Sequence, residues 1–144
     1  MLYISHRGYI NGIDKKLENN PDNITNLLKK NIHVEIDVRY HNDCFYLGHD
    51  EPKYKISNDF LKHKNLWCHA KDFKTLDQIR KVQCHYFWHQ EDDYTLTSKG
   101  FVWVYPGKPL IKNCIAVLPE NYKQDFSICY GICTDSVIKY FKNL

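Results

Sequence analysis

Short apolar runs rich in Val, Ile, Tyr, Phe and Trp recur along the chain, at 2–5, 33–38, 45–48, 66–70, 85–88, 101–105, 114–118 and 127–133. Runs of about five residues with this composition predict β-strands. Stretches with helical spacing lie between the early runs. Residues 21–31 open with Pro21, which suits the first helical position, and set Ile24, Leu27 and Leu28 on one face. Residues 72–82 space Phe73, Leu76, Ile79 and Val82 three apart behind Asp72, a candidate N-cap. Residues 135–141 repeat that form with Val137, Ile138 and Phe141. Strands that alternate with helices predict an α/β fold with a parallel sheet and crossover helices. The connections 90–100 and 106–113 are short and polar and predict loops.

Composition sharpens this picture. A chain of 144 residues that is 43% hydrophobic suits one domain over 1–144 with a real core, and leaves no room for a second domain of ordinary size. Eleven Tyr, seven Phe and three Trp make that core bulky. The net charge of +3, from 20 basic and 17 acidic residues, is too balanced to point to nucleic acid. No apolar stretch approaches the roughly 20 residues needed to span a bilayer. The six cysteines form no Cys-x-x-Cys pair, and Met1 leads straight into an apolar run rather than a secretory leader. Reduced thiols in a cytoplasmic protein are therefore expected.

The ionisable residues collect at the ends of the strand runs. His6 and Arg7 end the first. Glu35 and Asp37 sit two apart on the second and so share a face. His49 and Asp50 end the third, and His69 and Lys71 the fourth. Active sites lie at the C-terminal ends of strands in parallel α/β proteins. Two carboxylates on one face repel unless a cation sits between them, and Mg²⁺ or Ca²⁺ is the natural candidate, with Mn²⁺ a further one. Arg7 can grip a phosphate bidentately and Lys71 can add a point charge. His6 and His49 can carry protons near neutral pH. A metal, cations and two proton carriers are what phosphodiester hydrolysis needs. The remaining charged and aromatic positions have plainer readings: His89 with Glu91-Asp92-Asp93 as loop charge, Glu18 as a loop-ordering acid, and Trp88 and Trp103 as core or rim residues.

His6-Arg7-Gly8, Glu18-Asn19, Val34-Glu35-Ile36-Asp37-Val38 and His49-Asp50, in that order, resemble the motifs of the glycerophosphodiester phosphodiesterase family. The ending Gly131-Ile132-Cys133-Thr134-Asp135 is similar to that family's closing motif. The resemblance covers residues 3–52 strongly and, apart from the ending, is thin from 53 to 144. It implies a TIM-type (β/α) barrel. At this length the barrel is expected to be trimmed or distorted, with about seven to eight parallel strands and shortened helices, and a partner copy could cover its thin outer ring. It implies catalytic His6 and His49, a phosphate-binding Arg7, metal ligands Glu35 and Asp37, and a lysine matched by Lys71. The third metal ligand of the family is an acid two residues before that lysine, where this chain carries His69. Either His69 binds the metal through nitrogen, which would shift preference towards a transition ion, or water or another carboxylate completes the shell.

The implied reaction is metal-dependent hydrolysis of a small-molecule or lipid-derived phosphodiester, of glycerophosphodiester type, to a phosphomonoester and an alcohol. The substrate's own hydroxyl can serve as nucleophile and give a cyclic phosphate. The sequence leaves open which histidine is acid and which is base. Two alternatives stand beside this reading: a non-catalytic module that grips a phosphorylated ligand, and a phospholipase D-like lyase acting on lysophospholipid or sphingolipid.

Overall fold

A computed structural model describes residues 1–141. Its ten strands are β1 (Leu2–His6), β2 (His33–His41), β3 (Cys44–Leu47), β4 (Tyr54–Ile56), β5 (Leu66–Ala70), β6 (Tyr86–Trp88), β7 (Tyr94–Leu96), β8 (Val102–Val104), β9 (Ile115–Val117) and β10 (Gly131–Thr134). Three short helices accompany them: α1 (Pro21–Lys29), α2 (Asn58–Leu61) and α3 (Phe73–Ile79). Parallel pairing runs β6-β5-β2-β1-β10-β9-β8. The pairs β2-β3, β3-β4 and β7-β8 are antiparallel.

This architecture corrects the expected TIM barrel. The sheet is mixed and curled into a half-barrel, and only 20% of the chain is helical. The reason lies in the connections. After β6 the one helical stripe read from the sequence is the short one at 135–141. Residues 90–100, expected as a loop, contain β7, which turns back through Gly100 (φ +83°) to pair with β8. The link from β8 to β9 is broken by Pro106, Gly107 and Pro109. Residues 135–141 form a 3-10 turn at Val137–Tyr140 rather than a full helix. The run at 45–48 forms β3, which folds back on β2 through Asn42 and Asp43, both with positive φ, as a tight hairpin requires. Between β6 and β7 only scattered hydrogen bonds occur, such as Ser98 N to Tyr86 O at 2.8 Å, so no ladder closes the sheet.

The early helices form where the sequence carries start signals. Asn20 caps α1 by accepting from the Asp22 and Asn23 amides, and Asp72 caps α3 by accepting from Thr75 N at 2.7 Å. The buried Thr75 accepts in turn from Tyr40 N at 2.9 Å, which ties α3 to β2. These helices cover one face of the sheet. Val34, Ile36 and Val38 of β2 pack there with Ile24, Leu27, Cys68 and Ile79.

The opposite, concave face holds Ile4, Trp67, Phe87, Trp103, Ile115, Val117 and Cys133. The period of two along each strand therefore sends Glu35 and Asp37, and likewise Trp67 and His69, into the concavity. An aromatic layer fills its floor, with ring centroids of Phe87 and Trp103 4.6 Å apart and of Trp67 and Trp103 5.8 Å apart. All six cysteines are free thiols, four of them buried. Among the described residues no helix is long and apolar enough to cross a membrane.

His85 closes the far end of that aromatic layer. Its ring lies 4.2 Å from that of Trp67, and Nε2 is 2.8 Å from Thr97 Oγ1. Burial, with a contribution from Lys99, pushes its pKa from 6.5 down to about 4. In the unfolded chain His85 protonates first, so the unfolded state binds more protons between these values. Stability is thus expected to fall as pH drops from about 6.5 to about 4, by up to about 3 kcal/mol from this group. Urea unfolding at pH 7.5 and 5.0 measures the slope, and His85→Gln should flatten it. An unchanged slope would exclude His85 as the source.

Candidate active site

The first strand ends in a turn that cannot be built from ordinary residues. Arg7 (φ +52°) and Gly8 (φ +83°) are both left-handed. A Cβ at position 8 would lie 2.9 Å from the Asn23 amide nitrogen, which donates to Gly8 O. This turn leaves His6 and Arg7 at the mouth of the concavity. Register then sets their neighbours, since His6 pairs with Glu35 across β1-β2 and Asp37 pairs with His69 across β2-β5. Lys71 follows immediately after β5.

Asp37 sits at the centre and is fully buried. Asn19 holds it at both ends: Asn19 Nδ2 donates to Asp37 Oδ2 and Asp37 N donates to Asn19 Oδ1, each at 2.9 Å. Arg7 Nε lies 3.1 Å from Oδ2 and Lys71 Nζ 3.3 Å from Oδ1. Neither contact to Oδ1 nor that to Arg7 Nε is an aligned hydrogen bond. Burial alone would raise the Asp37 pKa. Lys71, Arg7, His69 and the Asn19 amide outweigh it and hold the carboxyl well below the usual range. Burial likewise opposes the Arg7 charge, and Asp37, Glu35 and Glu18 outweigh that effect and raise its pKa.

Glu35, Asp37 and His69 each offer a ligand atom, and these atoms lie within 4.8 Å of one another. His69 Nδ1 is 3.5 Å from both Glu35 Oε1 and Asp37 Oδ1. Two carboxylates, one with an unpartnered buried oxygen, facing an imidazole nitrogen make a donor set that fits a divalent cation. The Arg7 backbone N–H donates to Glu35 Oε2 at 3.2 Å and steadies the second acid.

His6 is oriented by a residue from the far end of the chain. Its Nδ1 lies 2.6 Å from Asp135 Oδ1, which makes Nδ1 the donor and leaves Nε2 on the Glu35 side, 3.9 Å from Oε2. A histidine oriented by a carboxylate in this way is suited to proton transfer. His49 is held differently. Gly48 carries O and N into a space where a Cβ would meet Glu51 O at 1.9 Å, so only glycine fits. Arg39 Nε donates to Gly48 O at 3.0 Å, and its Nη2 donates to His49 O. The His49 ring contacts Asp50 Oδ1 at 2.8 Å, and its side chain is 32% exposed.

A cleft of about 300 Å³ brings these groups together. His6, Arg7, Glu35, His49, His69 and Lys71 line it, as six of the seven residues expected from sequence. Asp37, the seventh, lies beneath them. His89, read from sequence as loop charge, also lines the cleft, with a side chain 7% exposed. So do Trp103, Tyr105, Val117 and Leu118, which give it an apolar wall. Sequence reasoning passed over Asn19, Arg39 and Asp135. Asn19 and Asp135 stand in motifs that carry the family resemblance, whereas nothing marks Arg39, which acts through backbone carbonyls alone.

Asn19 itself has φ +53°, a conformation Asn tolerates better than Ala. Asn19→Ala removes one hydrogen bond to the buried Asp37 carboxylate and the acceptor of the buried Asp37 backbone N–H, and is expected to cost about 2–4 kcal/mol in urea unfolding. A cost below about 0.5 kcal/mol would show that Asp37 is held by its cationic neighbours alone. No family model matches the chain, and no curated protein and no solved structure matches it either.

Proposed function

We propose that this chain is a metal-dependent phosphodiesterase acting on a small glycerophosphodiester-type substrate. The observation that carries this reading is the convergence of Glu35, Asp37 and His69, with ligand atoms within 4.8 Å, under a cleft lined by two histidines and two cations. The ordered motifs around His6, Glu35-Asp37 and His49 support it through their resemblance to glycerophosphodiester phosphodiesterases. The reading does not depend on a closed barrel, because Glu35, Asp37 and His69 come from the paired strands β2 and β5, with His6 beside them on β1.

A divalent ion held by Glu35, Asp37 and His69 would supply a Lewis acid for one phosphoryl oxygen. Arg7 and Lys71 neutralise the remaining phosphate charge, and their contacts with Asp37 keep both head groups at the cleft. His6, oriented by Asp135, and His49 exchange protons with the nucleophile and the leaving alcohol. Trp103, Val117 and Leu118 exclude water from one side of the substrate.

The test is release of alcohol from glycerophosphocholine and from bis(p-nitrophenyl) phosphate, with Mg²⁺, Ca²⁺ or Mn²⁺ and with EDTA. Metal-dependent turnover is expected, abolished in the Glu35→Ala, Asp37→Ala double variant. His6→Ala and His49→Ala should each lower kcat by about 10²–10⁴-fold. Full activity in a His6→Ala, His49→Ala variant would sink the acid–base scheme, and turnover indifferent to EDTA would sink the metal.

A further inference from the structure

His69 is the one ligand position where a nitrogen stands among oxygens, and its surroundings decide how it is presented. Its Nε2 lies 3.0 Å from the backbone carbonyl of His89. A carbonyl oxygen only accepts, so Nε2 carries the hydrogen. In the neutral ring the lone pair is then on Nδ1, the atom that faces Glu35 Oε1 and Asp37 Oδ1 at 3.5 Å each. The ring plane is fixed as well: it stacks on Phe87 with centroids 4.9 Å apart and an interplanar angle of 15°. Three acceptor atoms therefore lie within 4.8 Å of one another with no aligned donor between them, and Asp37 Oδ1 is buried without a hydrogen bond, with Lys71 Nζ 3.3 Å away. The His89 carbonyl is itself anchored, because the His89 ring contacts Asp92 Oδ2 at 3.1 Å.

We propose that the centre is built for a first-row transition ion such as Mn²⁺, Co²⁺ or Zn²⁺, ligated through His69 Nδ1, rather than for Mg²⁺ or Ca²⁺. The proposal rests on the metal-dependent reading above and names the class of ion for the same site. Its chemistry is direct. Ca²⁺ takes six to eight oxygen ligands and Mg²⁺ prefers carboxylate, phosphate and water. Neutral imidazole suits the later, softer divalent ions, and a hydrogen bond from its other nitrogen to a carbonyl is the usual way a metal-binding ring is held. The His89 carbonyl is a positioning group: it selects the tautomer and the ligating atom and touches no substrate.

The competing state is an imidazolium at His69, which would donate to the carboxylates and need no ion. Spectroscopy separates the two. Full-length protein labelled with ¹⁵N-histidine, stripped with chelator and titrated with Zn²⁺, is followed by long-range ¹H–¹⁵N correlation. The expected result is a shift of His69 Nδ1 while Nε2 keeps its proton. A His69 ring protonated at both nitrogens and unmoved by Zn²⁺ overturns the proposal.

Calorimetric titration of Mn²⁺, Zn²⁺, Mg²⁺ and Ca²⁺ into wild type and His69→Glu gives a second measure. The variant should lower the ratio of Zn²⁺ to Mg²⁺ affinity by roughly tenfold or more. An unchanged ratio in a folded variant counts against the proposal, and the wild-type spectra decide it if the variant does not fold. Zn²⁺ binding at His69 without diester turnover supports this inference and fails the phosphodiesterase reading. Turnover supported by Mg²⁺ with His69 unmoved does the reverse.

Discussion

A fully buried carboxylate organises this molecule. Asp37 is removed from water on the longest strand of the sheet, where an isolated charge would cost several kcal/mol. It is tolerated because every neighbour answers it. Asn19 supplies an amide and takes the Asp37 N–H, and Arg7 and Lys71 supply charge from two sides. The left-handed turn at Arg7 and Gly8, the left-handed Asn19 and the end of β5 all serve that arrangement. Arg7 and Asn19 are left-handed positions whose side chains meet Asp37.

The site follows from the same constraint. The cations beside Asp37 line the cleft, and the acid pair faces His69 in an arrangement that could hold an ion. Binding and stability thus share residues. A substitution at Arg7 or Lys71 alters the compensation of a buried charge as well as the cleft, so loss of activity there has to be read beside a stability measurement.

The sheet shows how little scaffold this needs. The candidate metal ligands Glu35, Asp37 and His69 come from two adjacent strands, β2 and β5, and His6 from a third, β1. Of these, α1 packs on β2 and α3 on β2 and β5, whereas β1 is met by the 3-10 turn at Val137–Tyr140. Beyond β10 the sheet carries no helical layer, and its strands shorten to three residues. That half contributes mainly the apolar wall, through Trp103, Val117 and Leu118. Asp135, just after β10, reaches back to orient His6.

Much of this was legible in the sequence. The alternation of Val34, Ile36 and Val38 with Glu35 and Asp37 determined that two carboxylates share a face, because a strand has no other way to place residues two apart. Pro21 with its apolar stripe and Asp72 before its own stripe determined α1 and α3, because capping and amphipathicity act locally. Tertiary structure alone decided the rest. Whether strands are joined by helices or by hairpins depends on which partners are free to pair, and β7 paired backwards with β8 where a parallel layer was expected. Arg39 owes its role to two backbone carbonyls across the β2-β3 hairpin, and Asp135 owes its role to a histidine at the other end of the chain. The orientation of His69 was decided in the same way, by the carbonyl of His89 twenty positions later. A hydrogen-bond acceptor that distant exists for His69 only once β6 has paired with β5.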